Sequence, residues 1–275
     1  GIGTLSLAGD NRAYGGEIIV RSNSVLRVAH AYGLGSTGTP TRIQAGGRLE
    51  VGGNAAVAEP VILEGDTSGP AGALCGVSGS NLWSGPITQS APTRILAKEG
   101  GTLLFAAPSS PSYDLYLAPE AGACVALAER PQLLGSRKLC AHGAGTVAIA
   151  VTGNTWSTLE IGGAAVRLDV PGALPANSIV TMGTIDTLDA TLDLNGNDQT
   201  VAQLKRGVTT PGTRTVTSAT PAVLTVNQIS STYYCDASFS GALSLVKAGA
   251  GTLYLLGTNS TYTGATTVQA GTLRV

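Results

Sequence analysis

The chain has 275 residues, of which 43% are apolar and only 12% are charged, so it can bury a large core and does not have the composition of a disordered chain. Its net charge of −1 gives no attraction to nucleic acid or to an anionic membrane, and no apolar run approaches the roughly 20 residues of a membrane helix. The 38 glycines disfavour helices, while abundant Thr, Ser and Asn suit pleated strands and tight turns.

Three segments of the chain are copies of one pattern. In chain order they are 1–28 (GIGTLSLAGDNRAYGGEIIVRSNSVLRV), 143–168 (GAGTVAIAVTGNTWSTLEIGGAAVRL) and 249–275 (GAGTLYLLGTNSTYTGATTVQAGTLRV). Each opens with Gly-x-Gly-Thr, continues into an alternating apolar strand, passes an Asn-containing turn and an aromatic residue, and ends in two more strands. The opening glycines are Gly1, Gly3, Gly143, Gly145, Gly249 and Gly251. Weaker versions of the pattern occur at 41–51, 93–105, 223–226 and 242–246.

The spacing between equivalent strands predicts the fold. Leu5 and Leu26 are 21 residues apart, Val147 and Val166 are 19 apart, and Leu253 and Leu273 are 20 apart. A period near 20 is typical of solenoids, in which each turn buries its apolar face against its neighbours. We therefore predict one all-β, right-handed parallel β-helix over 1–275, with about 20 residues per turn, roughly 13 turns and a length on the order of 60 Å. The predicted interior residues are Leu5, Leu7, Val147, Ile149, Leu253 and Leu255.

The last copy, together with Leu245-Val246-Lys247-Ala248 before it, resembles the autotransporter-associated β-strand repeat, also called the passenger-associated transport repeat. Segments 72–89 and 171–204 are similar to linking segments that accompany such repeats. The resemblance implies a right-handed β-helix from a large secreted or surface-displayed bacterial protein, with an adhesive, structural or self-associating role and no active site. The four cysteines depart from the family pattern, because such passengers usually have few or none.

The Gly-x-Gly-Thr openings superficially match phosphate-binding loops. Such a loop needs a following helix whose N-terminus meets the phosphate, and a strand follows each opening here. We therefore interpret these glycines as turns between the faces of the β-helix, and we expect no cofactor.

Four acidic residues lie close together in sequence and carry the strongest alternative. Asp186, Asp189, Asp193 and Asp198 can be compared with the acidic clusters of β-helical polysaccharide hydrolases and lyases, or with a calcium site. However, they flank predicted turns, where Asp accepts backbone hydrogen bonds, and the repeated glycine–aspartate pattern of calcium β-rolls is absent. We interpret them as turn residues and predict no catalytic activity.

The histidines and the repeat aromatics also have structural interpretations. His30 and His142 have no metal-ligand spacing to each other or to the cysteines, so both are predicted to be exposed loop residues and no metal is expected. Trp83, Trp156 and Tyr262 hold comparable positions, each followed by two small residues. Packing of these rings between turns is predicted, and binding of sugar to an exposed aromatic face is the alternative.

Four cysteines in a chain of expected extracellular destination permit two disulfides. Cys124 and Cys140 are 16 residues apart, the closest pair, and are candidates for a bridge between neighbouring turns. Cys75 and Cys235 have no evident partner and are expected to pack inside the coil.

The expected function is that of a structural or adhesive rod outside the cell or on the bacterial surface, and the alternative is a carbohydrate-binding or polysaccharide-degrading β-helix. A groove lined by several carboxylates and aromatic rings would favour the alternative. Neither end of the sequence resembles a capping turn, so we expect the array to continue into further repeats or to stack end to end into a fibre or stalk. The expected partners are other copies or further repeats, with a surface glycan as a further candidate.

Overall fold

A computed structural model describes residues 3–65, 72–105, 113–128, 135–185, 188–208 and 212–275. Gly1 and Asp186, two of the residues singled out above, lie outside these ranges. The described residues form a parallel β-solenoid of about 11 turns with roughly 22 residues per turn and no helix. None of the described segments therefore provides a helix that is long and apolar enough to cross a membrane.

Short strands separated by turns make up the described part of the chain. In chain order they are β1 (Thr4–Leu7), β2 (Ile19–Val20), β3 (Val25–Val28), β4 (Thr41–Ile43), β5 (Arg48–Val51), β6 (Ala56–Val57), β7 (Val61–Leu63), β8 (Leu74–Gly76), β9 (Gly79–Trp83), β10 (Ile87–Gln89), β11 (Thr93–Ala97), β12 (Gly101–Phe105), β13 (Leu115–Pro119), β14 (Cys124–Leu127), β15 (Lys138–His142), β16 (Thr146–Ile149), β17 (Thr158–Gly162), β18 (Ala165–Leu168), β19 (Ile179–Met182), β20 (Ala190–Asp193), β21 (Gln199–Val201), β22 (Gln203–Arg206), β23 (Arg214–Asn227), β24 (Thr232–Cys235), β25 (Ser238–Ala248), β26 (Thr252–Leu255), β27 (Thr266–Val268) and β28 (Thr272–Arg274).

The strands belong to four parallel sheets that run along the solenoid. Sheet 1 has the order β1-β3-β5-β8-β11-β13-β15-β17-β19-β22, and sheet 2 has the order β10-β7-β4-β2. Sheet 3 has the order β27-β25-β23-β20-β18-β16-β14-β12-β9-β6, with β21 also paired to β23, and sheet 4 has the order β24-β26-β28. Along each main order the strands follow the chain without reversal, so each pairs with its equivalents on the previous and next turns.

The observed register matches the spacing in the three repeat copies. Leu5 pairs with Leu26, Val147 with Val166, and Leu253 with Leu273. Other turns are longer: Leu49 pairs with Leu74, and Leu115 pairs with Leu139. The predicted solenoid is confirmed, while its mean turn exceeds 20 residues because several turns carry longer loops between strands. At about 4.8 Å per turn, 11 turns span roughly 50 Å rather than 60 Å.

One apolar core runs through the inside of the coil. Alternate residues of each strand point inward, as in β14, where Val125 and Leu127 are fully buried while Cys124 and Ala126 are only partly buried. Of the predicted interior residues, Val147, Ile149 and Leu253 are completely buried, Leu255 is nearly so and Leu7 is partly buried against the core; Leu5 is 63% exposed. Leu5 is the register partner of the buried Leu26 and shares its inward direction, but it is exposed because β1 is an outermost strand of sheet 1 and no described turn covers it.

Several buried polar side chains stabilise turns of the coil by donating hydrogen bonds to backbone carbonyl oxygens. Lys247 is fully buried, and its Nζ donates to the carbonyl oxygens of Ala248 (2.7 Å), Gly249 (2.8 Å) and Ala270 (3.2 Å). Asn81 stabilises another turn in the same way, because its side-chain amide donates to the carbonyl oxygens of Ser78 and Gly79. A buried donor matched to carbonyls of two successive turns satisfies backbone groups that the turn would otherwise leave unpaired. The lysine of the last repeat is therefore a structural residue.

Glu59 is a buried acid whose ionisation opposes folding. It is 4% exposed, its Oε1 accepts a long hydrogen bond (3.5 Å) from the Thr41 hydroxyl, and its Oε2 has no partner among the described residues. Burial raises the pKa of Glu59 from 4.5 to about 7. Between these values the folded state keeps a proton that the unfolded state releases, so stability falls as the pH rises through this window.

We expect the free energy of unfolding to fall by on the order of 2–3 kcal/mol as the pH rises from 4.5 to 7, and Glu59→Gln to remove that part of the slope. Urea denaturation across this pH range measures it. Glu64→Gln is the matched control, because Glu64 is more exposed and paired with Arg42. An unchanged slope in Glu59→Gln would contradict the assignment.

Candidate functional site

The repeat glycines occupy turns that lead directly into strands. Gly143 has a φ of +124° and Gly249 a φ of +73°, the left-handed region that glycine adopts without strain. Gly145 and Gly251 instead face backbone carbonyls so closely that a Cβ would overlap them, whereas a Cβ on Gly3 would meet nothing within 4 Å. No helix follows these described glycines, so they do not form a phosphate-binding loop.

The described aspartates of the acidic segment are occupied by turn hydrogen bonds. Each accepts a backbone N–H through Oδ1: Asp189 from Thr213 (2.8 Å), Asp193 from Asn195 (2.9 Å) and Asp198 from Val223 (2.8 Å). The bond from Thr213 lowers the pKa of Asp189. Two of the three bonds connect successive turns, and within the described ranges none of the three carboxylates has an ionisable side chain bonded to it. This is the turn role predicted from the sequence.

The repeat aromatics are not available as sugar platforms. Trp83 and Trp156 are fully buried in the core. Tyr262 is partly buried and meets the ring of Phe239 edge-on, with 6.0 Å between ring centroids. Packing of the rings inside the coil is therefore confirmed for the two tryptophans, and Tyr262 packs against the turn before it.

An aromatic column does lie on the outside of sheet 4. Tyr234 and Tyr254 stack with their centroids 4.9 Å apart. The guanidinium of Arg206 lies 5.6 Å from the Tyr234 centroid, and that of Arg274 lies 5.4 Å from the Tyr254 centroid. Cation–π contacts and stacking thus use the ring faces to join successive turns, so the column contributes to the solenoid itself.

A groove of about 610 Å³ lies on the described surface. Asn154, Asp198 and Thr200 line it, together with small and aliphatic residues. Asp198 is the one acid among its described lining residues, its Oδ1 is already bonded to a backbone N–H, and no ring lines the groove. Glycan clefts need several aromatic and carboxylate groups, and this groove does not supply them.

The four cysteines are free thiols, so the structure does not form the predicted Cys124–Cys140 bridge. Cys124 lies on the outer side of β14 in sheet 3, whereas Cys140 lies on the outer side of β15 in sheet 1. Outward-facing residues of two different sheets diverge from one another, and a bridge requires Cα atoms within about 7 Å. Cys235 packs in the core as expected, and Cys75 packs outside sheet 1 against Leu96.

The thiols are poor nucleophiles. Burial raises the pKa of Cys75 and of Cys235 to about 12, and it also raises the pKa values of Cys124 and Cys140. A catalytic cysteine needs a lowered pKa and access to substrate. None of the four has a lowered pKa, and Cys75, Cys140 and Cys235 are also buried.

Three side chains with metal-binding atoms meet on the outer side of sheet 1. The Sγ of Cys140, an imidazole nitrogen of His142 and a carboxylate oxygen of Glu160 all lie within 4.8 Å of one another. Cys140 and His142 are two residues apart on β15 and so share one side of the strand. Glu160 is the register partner of Cys140 on β17, one turn further along. We call these three residues the outer-face cluster.

The surroundings of the outer-face cluster hold two of its members in place. Glu160 Oε1 accepts a hydrogen bond from Lys138 Nζ (2.7 Å), while its Oε2 lies 3.7 Å from Cys140 Sγ. His142 packs edge-on against Tyr116, and its Nε2 is buried with no hydrogen-bond partner among the described residues. Burial lowers the pKa of His142, so the imidazole is neutral near pH 7.

The structure corrects the prediction for one histidine. His30 lies in the loop after β3 as predicted, where its Nδ1 accepts a hydrogen bond from the backbone N–H of Tyr32 (3.2 Å). His142 instead ends β15, in a partly buried position. The signal that could have revealed the cluster is the Cys-x-His pair on one strand with a Glu 20 residues after the cysteine, which is one repeat period.

The comparisons with known proteins give a family match, and it covers the last part of the chain. The family model for the Passenger-associated-transport-repeat matches residues 245–275, which include the end of β25 and all of β26, β27 and β28. This is the segment on which the sequence resemblance rests. No curated protein and no solved structure matches the chain.

Proposed function

We propose that this chain is a section of a passenger-type β-solenoid that acts as a non-enzymatic structural or adhesive rod. The observation that carries the proposal is the continuous parallel register of sheets 1 and 3, in which each turn is built on the one before. The turn aspartates, the buried Lys247 and the stacked tyrosines of sheet 4 form contacts within or between turns, which supports a structural role. The passenger repeat at 245–275 supports a place outside the cell or on the bacterial surface.

The outermost described turns support self-association. At one end Leu5 is 63% exposed and Ile19 is 43% exposed, and at the other end Val268 is 50% exposed. Strand edges that are unpaired and apolar invite pairing with another chain. Because the first and last repeat copies have the same pattern, a second copy of this chain, or a further repeat of the same kind, has the strand length and register to continue the stack.

We expect the isolated chain to associate end to end with increasing concentration, and Leu5→Lys to weaken this association by about tenfold or more because it places a charge on the pairing edge. Sedimentation velocity and electron microscopy measure the particle length. Leu188→Lys is the matched control, since Leu188 is 37% exposed in the loop before β20, away from both terminal turns. A particle of one chain length at every concentration would contradict self-stacking.

The carbohydrate-degrading alternative has a direct test. Incubation with acidic and neutral polysaccharides is expected to yield no shortened products, since Asp189, Asp193 and Asp198 are each bonded to a backbone N–H group. Turnover that disappears in Asp189→Asn or Asp193→Asn would overturn the structural assignment.

A further inference from the structure

We propose that the outer-face cluster of Cys140, His142 and Glu160 binds one divalent transition-metal ion of the Zn²⁺ class and thereby links two successive turns of the solenoid. The inference is independent of the rod's biological role. It rests on the geometry of the three side chains, on their hydrogen bonds and on the space around the imidazole.

The donor set suits such an ion. Thiolate sulfur, imidazole nitrogen and carboxylate oxygen are the ligand types of protein zinc sites, with bonds of about 2.3, 2.0–2.1 and 2.0–2.2 Å. Two ligands at those distances on a tetrahedral centre are about 3.5 Å apart. The 3.7 Å between Cys140 Sγ and Glu160 Oε2 is already close to that separation. Cys140 and Glu160 are register partners on neighbouring strands, so only small side-chain adjustments are needed for both to bind one ion.

Within the described part of the chain, the one hydrogen bond among the binding atoms is the weak one that the Cys140 thiol donates to Glu160 Oε2, and a bound metal would replace it. Lys138 holds Glu160 through Oε1, which directs Oε2 towards Cys140 and leaves it without a stronger donor. Ligating carboxylates commonly have such an outer partner. The buried His142 Nε2 lacks a partner among the described residues, although buried polar atoms are normally bonded. A bound cation would satisfy it.

The charge in the site balances. Binding of the ion displaces the thiol proton of Cys140 into the solvent, and the resulting thiolate together with the Glu160 carboxylate neutralises the 2+ charge. Lys138 stays paired with the carboxylate at its other oxygen. The fourth coordination position is left for water, because Cys140, His142 and Glu160 are the three ligating groups that the described residues bring together here.

The residue opposite His142 leaves room for the imidazole. Gly162 is its register partner on β17. A Cβ at Gly162 would lie 3.0 Å from His142 Cδ2 and 2.6 Å from Thr184 Oγ1, so any larger residue would displace the ring. Thr184 Oγ1 is also buried without a partner among the described residues. Glycine here therefore keeps space beside the imidazole that a side chain would fill.

Equilibrium dialysis with Zn²⁺ and spectroscopic titration with Co²⁺ test the proposal on the whole chain. We expect one ion per chain and a thiolate-to-cobalt charge-transfer band. Cys140→Ser and His142→Gln should each weaken binding by about 100-fold or more, since loss of an outer partner alone typically costs 10–100-fold. Lys138→Met, which removes only an outer partner, should weaken it by about tenfold.

The chain provides matched controls. Cys75→Ser removes another fully buried thiol outside sheet 1, and His30→Gln removes the other histidine; both should leave binding unchanged. If Cys140→Ser fails to fold by circular dichroism, Glu160→Gln at a partly exposed position gives the same test and should abolish the one-ion stoichiometry. Absence of the charge-transfer band in the unmodified chain, or binding that survives both His142→Gln and Glu160→Gln, would overturn the site.

Discussion

Trp156→Ala is expected to lower the free energy of unfolding by about 3–5 kcal/mol, the usual cost of deleting a buried tryptophan. Trp156 lies in the loop before β17, is fully buried and belongs to the continuous core. The void left by its indole cannot close easily, because the turns on either side are fixed by the parallel register of sheet 1. Urea denaturation followed by circular dichroism measures the loss.

Two variants separate packing from surface effects. Trp156→Phe keeps most of the ring and removes an indole N–H that has no partner among the described residues, so it should cost clearly less than Trp156→Ala. Tyr14→Ala alters an aromatic that is 48% exposed and should cost less than about 1 kcal/mol. A loss below about 1 kcal/mol for Trp156→Ala, together with quenching of its fluorescence by iodide, would show a surface aromatic and would revive the sugar-binding alternative.

Gly145→Ala is expected to destabilise the chain by about 3 kcal/mol or more, at the upper end of the cost of overpacking. A Cβ at Gly145 would overlap the carbonyl oxygen of Glu120 and lie 2.6 Å from that of Ala123 and 2.9 Å from the Cβ of Pro119. Two of these obstacles are backbone atoms of the preceding turn, so a rotamer change cannot relieve them. The two turns would have to move apart, which would weaken the pairing of β14 with β16.

The matched control is the same position of another repeat copy. Gly3 is the second glycine of the first Gly-x-Gly-Thr, and a Cβ there would meet nothing within 4 Å. Gly3→Ala should therefore change the free energy of unfolding by less than about 0.5 kcal/mol. Thermal and urea denaturation of the two variants measure the difference. Equal effects would contradict the conclusion that the motif glycine is required by contact with a preceding turn.

Much of the fold could be predicted because the repeat period is a local property of the sequence. The spacings Leu5 to Leu26, Val147 to Val166 and Leu253 to Leu273 are the register pairs of the structure. Alternation within a strand also predicted which residues point inward. Both follow from a stack in which equivalent strands lie one above the other, so one repeat period along the chain becomes one step to a neighbour.

The exposure of a side chain and the sheet on which it lies depend on which strands pack around it. The repeat pattern does not specify that packing. Leu5 follows the interior pattern yet is exposed, because β1 has a partner on one side only among the described strands. Cys124 and Cys140 are close in sequence yet lie outside different sheets. Sequence distance within a turn says little about which face a strand occupies, since a turn of the coil passes through more than one sheet.

The sequence by itself determined the parallel solenoid, its strand register in the repeat copies and the turn roles of Asp189, Asp193 and Asp198, because these depend on local periodicity and turn chemistry. Only the tertiary structure brought Cys140, His142 and Glu160 together, since that requires the exact number of residues in one turn, the side of the strand on which each lies, and the small residue opposite the imidazole. A loop longer by one residue that shifted the register between β15 and β17 would send Glu160 to the other face of the sheet and separate the three groups.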